Sequence, residues 1–477
     1  MEVRGQNGKV VLSGQEAAGA MGKLRLRYDR ATVIVEAEAG ETVPSLPGLV
    51  WDPRTEQWRA QGRYYRAIVE ELRRQQIEYV DEARGWGTEG AGWRLRDERV
   101  PWDYQRQAAA CWLQERRGVI VLPTGTGKTF VALQCIAAVN RPTLVVTPKI
   151  DLMVQWAAEL ERCFGITVGM VGAGEFNYQP MTVTTYDSAY IHLERWANRF
   201  GMVVFDECHH LPGASYQAAA QGALAPFRLG LTATPERSDG GEALLPELIG
   251  PIVYRLDIRD VAGEYLAPYE VRRVYVELTA EEQGRYQQCR ELYRRFISEQ
   301  NLSLSSPEGF RRFLFVANRS AEGLAALRAY REQKRIVQGA SEKFRVLAEL
   351  LQRHAGERTL IFTANNATVY AIARQFLLPA MTNQTKARER KEILERLQRG
   401  EYTAVVTCQV LNEGVDVPSA SVGIIFGGSG STTENVQRLG RILRKHGDKQ
   451  AVLYEIVARG TAEEYVSERR RQHRAFQ

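Results

Sequence analysis

The sequence lacks the features that would place it in a membrane or in a secreted, disulfide-stabilised class. No run of about 18 apolar residues occurs, and the opening MEVRGQNGKV lacks the apolar stretch of a signal peptide. The six cysteines are scattered, with no Cys-x-x-Cys pair. This spacing argues against a disulfide framework or a zinc ribbon and favours free thiols. We therefore expect a cytoplasmic protein that makes no membrane contact.

The composition is that of a globular protein able to bury sizeable cores. The 477 residues are 44% hydrophobic and 25% charged, and this length predicts about two to four domains. The formal net charge is +6, and arginine greatly outnumbers lysine. Guanidinium groups pair with phosphates, so this charge permits nucleic-acid binding. A GC-rich genome or a heat-adapted organism would explain the same bias.

Four regions follow one another along the chain. Residues 1–98 combine two strands joined near Asp29, a second strand pair around WDPRTEQWRA, a helix and a glycine-rich linker, RGWGTEGAGW. In 99–255 the runs GVIVLP, TLVVTP, MTVTTY and MVVFDE alternate with helical patterns. In 256–477 the runs TLIFTA, AVVTCQ, VGIIFGG and AVLYEI follow an arginine- and tyrosine-rich helical stretch at about 278–340. Such alternation predicts two α/β domains in series, each with a parallel sheet.

The strongest local motif is LPTGTGKTF, residues 122–130, between a predicted strand and a predicted helix. Glycines let backbone N–H groups close around phosphate oxygens, and the helix N-terminus adds its dipole. In this pattern Lys128 reaches the outer phosphates and the Thr129 hydroxyl binds Mg²⁺. The motif predicts ATP binding, although Leu122 occupies the first position, which is glycine in the strict form of the motif. The predicted nucleotide-binding residues of the loop are Pro123, Thr124, Gly125, Thr126, Gly127, Lys128 and Thr129.

A second motif, MVVFDECHH at residues 202–210, ends a hydrophobic strand in two acids. Buried carboxylates are costly unless they face a cation. We expect Asp206 to hold Mg²⁺ and Glu207 to polarise the attacking water, because phosphoryl transfer depends on positioning and charge neutralisation. The cysteine and two histidines that follow cannot readily converge on one ion, which disfavours zinc. Either His209 or His210 is predicted to sense the state of the phosphates.

Arginines recur at helical spacing in ENVQRLGRILRKHG, residues 434–447. Arg438, Arg441 and Arg444 therefore share one helix face. A solvated basic face would explain them, but they follow an α/β domain that has no phosphate loop of its own. Such a domain can supply arginine fingers to its neighbour's site, worth about 10³- to 10⁵-fold in rate in other systems. We predict this role for Arg441 and Arg444.

In this order the phosphate loop, the acid pair, the TAT of residues 232–234 and QRLGRILR resemble the motifs of superfamily 2 helicases. DECHHLPGASY and FRLGLTATPERSDG resemble, within that group, the XPB family in its short archaeal-type form. The resemblance covers essentially the whole chain and is weakest before residue 90. It implies two RecA-like parallel-sheet motor domains in tandem, at 99–255 and 256–477. It also implies a small α+β, damage-recognition-like domain at 1–98 and a helical thumb-like insertion at about 278–340.

The resemblance also assigns residues outside the two ATP motifs. Gln105 lies where the family reads adenine, and Gly414 and Asp416 lie where it couples nucleotide state to strand contact. Gln437 opens QRLGRILR and is grouped with the catalytic residues. The triplet at 237–239 stands at the RED motif, proposed to help separate strands, with serine in place of the central acid. The predicted DNA contacts are Thr147, Thr185, Arg237, Ser238, Asp239 and Thr363.

Family membership would imply an ATP-dependent 3′-to-5′ DNA helicase or translocase in nucleotide excision repair or transcription. Its substrate would be single-stranded DNA or a forked or bubble duplex. A nuclease partner follows only by analogy with archaeal members; we expect a monomer associated with a prokaryotic nucleoid. The main alternative is a duplex-DNA translocase that moves without unwinding. An RNA-dependent ATPase and a scaffold with a dead ATPase are both disfavoured by the motifs.

Aromatic residues of the N-terminal region have two interpretations. They could stack on exposed bases, as aromatic side chains do in single-strand binding. At the same spacing they could fill a small core, which is the better-supported interpretation. The residues concerned are Trp51, Trp58, Tyr64 and Tyr65.

Overall fold

The computed structural model describes residues 24–38, 42–87, 89–237, 239–304, 307–408, 420–427 and 450–471. The chain divides into two compact units. One comprises Met1–Leu122 and Gly127–Arg255, and the other Pro123–Thr126 and Leu256–Gln477. No helix of the described ranges is both long and apolar enough to cross a membrane.

The first unit opens with a five-stranded sheet in the order β3–β4–β2–β1–β5, antiparallel except where β1 meets β5. Its strands are β1 (Leu24–Asp29), β2 (Thr32–Ala37), β3 (Val50–Asp52), β4 (Gln57–Gln61) and β5 (Tyr79–Glu82). Helix α1 (Tyr65–Arg74) buries Ile68 and Leu72 against alternate strand residues, including Leu26 and Val35. Both predicted strand pairs are confirmed, and each turn carries a positive φ, at Arg30 and at Glu56 among others.

The same unit contains an eight-stranded sheet in the order β13–β6–β12–β11–β7–β10–β8–β9, parallel except for the last pair. Its strands are β6 (Arg117–Val121), β7 (Thr143–Thr147), β8 (Gly169–Gly172), β9 (Glu175–Phe176), β10 (Met181–Thr185), β11 (Met202–Asp206), β12 (Phe227–Thr232) and β13 (Ile252–Arg255). All four apolar runs predicted here are central strands. β12, which ends at the TAT segment, is also central and buried, whereas β8, β9 and β13 lie towards the sheet edges and are short or partly exposed.

Helices cover both faces of this sheet, as expected when parallel strands are joined by crossovers. They are α2 (Asp103–Glu115), α3 (Lys128–Val139), α4 (Ile150–Phe164), α5 (Tyr186–Ile191), α6 (Leu193–Trp196), α7 (Tyr216–Gly222) and α8 (Leu245–Leu248). One face is a continuous core that includes Val121, Val146 and Phe205. The buried strands end together at one edge of the sheet, which is where the predicted ATP motifs lie.

The glycine-rich stretch predicted as a linker is an extended strap, residues 89–99, that lies along the first motor domain. The Ala91 N–H donates to Asn140 O at 3.0 Å, and the Arg96 N–H donates to Cys163 O at 2.6 Å. Asn140 and Gly165 end α3 and α4 in the left-handed conformation. The strap therefore supplies donors to carbonyl groups at helix C-termini, which have no partner within the helix.

The second unit holds a six-stranded, all-parallel sheet in the order β14–β19–β18–β15–β17–β16. Its strands are β14 (Tyr269–Val276), β15 (Thr359–Phe362), β16 (Ala380–Met381), β17 (Ala404–Thr407), β18 (Val422–Ile425) and β19 (Ala451–Ala458). Its covering helices are α9 (Ile258–Val261), α13 (Ser341–Arg353), α14 (Asn366–Phe376), α15 (Ala387–Arg399) and α16 (Ala462–Arg471). The four predicted strands are confirmed. Edge strand β14, YEVRRVYV, was not predicted because exposed arginines interrupt it.

The predicted helical insertion consists of α10 (Ala280–Glu299), α11 (Pro307–Ala317) and α12 (Ala321–Gln338). A capping box starts α10, where the Thr279 hydroxyl accepts from the Glu282 N–H and the Glu282 carboxylate accepts from the Thr279 N–H. Phe296 and Phe313 lie at the centre of a small aromatic core that the three helices share. The insertion therefore has a small core of its own, while Tyr286, Ile336 and Val337 of its helices belong to the core of the six-stranded sheet.

Candidate nucleotide and nucleic-acid site

The phosphate-loop motif joins β6 to α3, as predicted. Leu122 ends the strand, and its N–H donates to Thr232 O at 3.0 Å. The Thr126 hydroxyl donates to Pro123 O at 2.7 Å and closes the loop on itself. Gly127 has φ +78°, and a Cβ there would lie 2.7 Å from Gln105 Nε2. The predicted adenine-reading glutamine is thus in contact distance of the loop, and only glycine fits between the two.

Lys128, the first residue of α3, faces the acid pair. Its Nζ lies 3.7 Å from Glu207 Oε1 and 3.4 Å from Leu122 O. Thr129 follows it in the first turn of the helix. β11 ends at Asp206, and Glu207 turns the chain with φ +47°, an uncommon conformation for a residue with a side chain. The structure therefore brings together the lysine and both acids that the sequence singled out.

The two acids have different surroundings. Burial raises the pKa of Asp206, and the nearby charge of Glu207 raises it further. Burial would also raise the pKa of Glu207, but the charge of Lys128 and contact with His209 lower it overall. Asp206 is buried, with only 6% of the residue exposed. No lysine or arginine of the described chain forms an ion pair with it within 4.0 Å. A buried carboxylate without a cation of its own fits a divalent metal ion.

His209 links the acid pair to the TAT segment. Its Nδ1 lies 3.4 Å from Glu207 Oε2 and 3.1 Å from Thr232 Oγ1. The Thr232 hydroxyl donates to Thr234 O at 3.0 Å, and both threonines are buried in the first motor domain. Of the two predicted histidines, His209 is the one in contact with Glu207. His210 stacks beside it, with ring centroids 4.3 Å apart.

The predicted DNA-contacting threonines all lie at the carboxyl ends of parallel strands. Thr147 and Thr185 are register partners on β7 and β10, and Thr363 follows β15 in the second unit. All three hydroxyls make local bonds: Thr147 to Lys149 O, Thr185 from the Ser188 N–H, and Thr363 to Asn365 O. Thr185 is therefore the N-cap of α5, whereas Thr147 and Thr363 bond to carbonyl groups two residues ahead, and contact of all three with DNA stays a prediction.

The two described residues of the RED-like triplet, Arg237 and Asp239, make hydrogen bonds within the domain. Arg237 Nε and Nη2 donate to the two carboxylate oxygens of Asp239 at 2.8 and 2.6 Å. Arg237 Nη1 donates to His209 O, and Arg237 lowers the pKa of Asp239. Arg237 is thus bonded to the turn that follows the acid pair, and the contact of the triplet with DNA stays a prediction.

Several predicted site residues lie outside the described residues, and their contacts stay predictions. They are Ser238, Gly414, Asp416, Gln437, Arg441 and Arg444.

Three family models match the chain in order. Residues 26–83 match the xeroderma pigmentosum group B helicase damage recognition domain, 98–237 the type III restriction enzyme res subunit, and 342–446 the helicase conserved C-terminal domain. The chain is 40% identical over 448 residues to the DNA 3′-5′ translocase XPB2 of Sulfurisphaera tokodaii, covering 94% of this chain and 99% of that protein. This chain belongs to the XPB family.

A further relative of the XPB-family chain is the DNA 3′-5′ helicase XPB of Mycobacterium tuberculosis, 31% identical over 82% of this chain and 66% of that protein. Two solved structures share the fold. The Hef helicase domain of Pyrococcus furiosus matches 78% of this chain and 98% of that chain, with TM-score 0.51 and 21% identity. S. cerevisiae Dbp5 bound to RNA and ADP BeF3 matches 80% and 88%, with TM-score 0.54 and 13% identity.

Two residues that hold Asp206 in the XPB-family chain were not singled out from the sequence. Trp156 Nε1 donates to Asp206 Oδ2 at 2.8 Å, and the Tyr186 hydroxyl donates to Asp206 O at 3.0 Å. Both lie far from Asp206 in sequence, and each follows a strand whose last threonine was predicted to contact DNA. The position of those threonines was the available signal.

A polar cluster at the carboxyl edge of the second sheet was also missed. The Asn366 amide donates to Asn383 Oδ1 at 2.9 Å, and the Cys408 thiol donates to Asn366 Oδ1 at 2.9 Å. Asn365 Nδ2 donates to Gln338, at the end of the insertion's last helix. Amides directly after a buried strand, as in TLIFTANN, were the sequence signal. The cluster joins three strand ends to the insertion beside Thr363.

Proposed function

We propose that this XPB-family chain is an ATP-dependent 3′-to-5′ DNA helicase or translocase. The observation that carries the proposal is the buried acid pair, with Lys128 beside Glu207 and, among the described residues, no lysine or arginine paired with Asp206. The two relatives are named a DNA 3′-5′ translocase and a DNA 3′-5′ helicase, which supports the direction of movement. A role in nucleotide excision repair or transcription belongs to the same proposal.

At the first motor domain we propose that Lys128 and the loop amides bind the phosphates while Gln105 reads the adenine. Thr129 and Asp206 would hold Mg²⁺, which neutralises phosphate charge when bound. Glu207 stays ionised because Lys128 and His209 lower its pKa, so it can accept a proton from the attacking water. His209, in the same turn, contacts both Glu207 and Thr232 and would couple a change at Glu207 to a change at Thr232.

We further propose that the second motor domain completes hydrolysis and converts it into movement. Arg441 and Arg444 would act as arginine fingers beside Gln437, and Gly414 and Asp416 would respond to the bound nucleotide. Binding energy closes the two domains and hydrolysis releases them. Because both domains would hold the same DNA strand, repeated closure would move the protein along that strand. We propose that the protein acts as a monomer. A nuclease partner remains a proposal by analogy.

The DNA contacts that we propose are mainly to phosphates. Thr147, Thr185 and Thr363 stand at strand ends where backbone amides and hydroxyls can meet a phosphate chain. The triplet Arg237, Ser238 and Asp239 is proposed to assist strand opening. Contacts of this kind give little sequence preference and a strong dependence on salt.

The helical insertion is proposed to grip the duplex. Several of its exposed arginines have no ion-pair partner within the described chain, so their charge is available to phosphates. These are Arg294, Arg295, Arg311, Arg312 and Arg331.

A strand-displacement assay tests the proposal. Forked DNA with a 3′ tail should be opened only with ATP and Mg²⁺, whereas a matched RNA substrate should not. Lys128→Ala should abolish DNA-stimulated ATP hydrolysis, and retained turnover would contradict the assignment. A chain that displaces a triplex-forming strand from intact duplex but opens no fork would instead be the duplex translocase.

A further inference from the structure

Asp206 is held by two buried aromatic side chains that come from two different helices. Trp156 of α4 donates its indole N–H to Asp206 Oδ2, and Tyr186 of α5 donates its hydroxyl to the Asp206 carbonyl. Both side chains are almost fully buried, so water does not compete for either bond. The Glu207 N–H donates to Oδ1 at 3.0 Å. With one donor on each oxygen, the orientation of the Asp206 carboxylate depends on the positions of these two donors.

Each of these helices follows directly on a proposed strand contact. Thr147 ends β7, and its hydroxyl donates to the carbonyl of Lys149, the residue that precedes α4. Thr185 ends β10 and accepts the Ser188 N–H in the first turn of α5. A shift of either strand end would therefore move a helix that carries a hydrogen-bond donor to Asp206.

We propose that Trp156 and Tyr186 are positioning residues that couple strand binding at Thr147 and Thr185 to the orientation of Asp206. This inference rests on the proposed ATP-dependent activity on DNA. A metal ligand must be oriented by its hydrogen-bond partners to bind well, and losing such a partner typically costs about 10- to 100-fold in affinity or activity. Strand binding would then raise hydrolysis by settling the carboxylate in its productive plane.

The first motor domain offers a matched control for loss of a buried indole. Trp196 is as buried as Trp156, and its N–H donates to Ala189 O at 2.8 Å. This bond does not involve Lys128, Asp206 or Glu207. Replacing either tryptophan by phenylalanine removes one ring and one hydrogen bond, so the two variants share the packing cost and differ in the acceptor.

The experiment compares Trp156→Phe, Tyr186→Phe and Trp196→Phe in the full chain. Equilibrium titration of a fluorescent ATP analogue against Mg²⁺ measures metal-dependent binding without turnover. Initial rates with and without single-stranded DNA give kcat and KM. For Trp156→Phe we expect metal-dependent nucleotide binding to require a roughly tenfold higher Mg²⁺ concentration. The DNA-stimulated kcat should be roughly tenfold lower, with little change in KM for ATP. Tyr186→Phe, which loses only a hydroxyl, should lose part of the stimulation, and Trp196→Phe should behave as wild type.

Wild-type stimulation and Mg²⁺ dependence in Trp156→Phe and Tyr186→Phe would overturn the coupling. An equal loss in Trp196→Phe would also overturn it, because packing would then account for the effect. If the wild-type chain hydrolyses no ATP, or DNA does not stimulate it, the proposed function itself fails before any variant is compared.

Discussion

Single residues decide the chemistry of the first motor domain, and the two acids at the end of β11 show how. Glu207 has Lys128 and His209 beside it, whereas Asp206 accepts hydrogen bonds and, in the part of the chain that the structure describes, forms no ion pair with a lysine or arginine. Neighbouring acids in one buried turn thus differ in charge balance. The ionised Glu207 suits a general base, and Asp206 suits a metal ligand.

Glu207→Gln keeps the size of the side chain but removes its ability to accept a proton. We expect nucleotide binding to be retained and kcat to fall about 10²- to 10⁴-fold, the usual contribution of a general base. Steady-state hydrolysis and a fluorescent-nucleotide titration measure the two effects. Glu175→Gln, on the exposed edge strand β9, is the control. Hydrolysis by Glu207→Gln at the control's rate would remove Glu207 from the mechanism.

Gly127→Ala tests the phosphate loop by steric means. The new Cβ would lie 2.7 Å from Gln105 Nε2, at a φ of +78° that side chains rarely adopt. We expect nucleotide affinity to fall at least about tenfold, because the loop amides must move. Gly174→Ala has the same kind of strain, φ +90°, with no atom within 4 Å of its Cβ. Equal affinities in the two variants would show that the contact with Gln105 does not matter.

These residues also show what sequence could and could not predict. Lys128, Asp206 and Glu207 were predictable because each sits at a fixed offset from a buried strand, and the fold brings strand ends together. Trp156 and Tyr186 were not, because nothing local distinguishes an indole that reaches Asp206 from one that fills the core. Trp196, equally buried, has the same local appearance and a different partner.

At the scale of elements, the strap of residues 89–99 shows how composition misleads. Its glycines are typical of a linker, yet its amides cap α3 and α4 and Trp93 packs against Phe164. Asp97, Glu159 and Cys163 place ligand atoms within 4.8 Å of one another on this strap and α4. Arg99 and Arg162 already pair with the acids, so the cluster fits an ion-pair network.

The strap gives a pH-dependent prediction. The hydrogen bond from Arg99 holds the pKa of Asp97 below its usual value. A carboxyl whose pKa is lowered by folding stabilises the fold above its unfolded pKa of about 3.9, and this contribution is lost as pH falls through the folded pKa. Asp97→Asn should therefore lower stability at pH 7 by about 1–2 kcal/mol, or roughly 3–6 °C in Tm.

Thermal unfolding followed by tryptophan fluorescence at pH 7 and near pH 3 checks this. The difference in Tm between Asp97→Asn and wild type should narrow at the lower pH, because below about 3.9 Asp97 takes up a proton in the unfolded wild-type chain while it stays ionised in the folded one. Glu98→Gln, the exposed neighbouring acid, should change Tm little at either pH. A gap that stays constant or widens towards low pH would contradict the ion-pair explanation.

For the whole molecule, the N-terminal domain is built onto the first motor domain. Leu224, which follows α7, belongs to the N-terminal core, and Gly62 approaches Gly222 so closely that a Cβ would lie 2.0 Å from its carbonyl oxygen. The Gly85 N–H donates to Asn198 O, and Arg63 pairs with Glu247. The damage-recognition-like domain is therefore part of the first compact unit.

The aromatic residues of this domain differ in how deeply they are buried. Tyr65 lies in the core, and Trp58 and Tyr64 pack against it, so the core-filling interpretation holds for these three. Trp51 is 48% exposed and meets Trp58 edge-on at 5.5 Å. Alternation predicted the strands, but the exposure of Trp51 depended on the position of β3 at the edge of the sheet.

Gly62→Ala tests whether docking of the N-terminal domain matters for DNA choice. Deleting residues 1–95 would also remove most of the strap that caps α3 and α4, so a change in DNA preference would have two explanations. Gly62→Ala leaves the strap intact while its Cβ forces the two domains apart. We expect faster hydrogen exchange at Gly85, whose amide bonds across the junction to Asn198 O, and basal ATP hydrolysis near wild type.

Gly87→Ala is the control, because its Cβ would have no neighbour closer than 4.0 Å. If the domain reads distorted DNA together with the motor, Gly62→Ala should lose preference for bubble over intact duplex while Gly87→Ala keeps it. Undocking that leaves the preference unchanged would mean that the domain acts only in folding. Unchanged exchange at Gly85 would mean that the close approach of Gly62 and Gly222 does not hold the domains together.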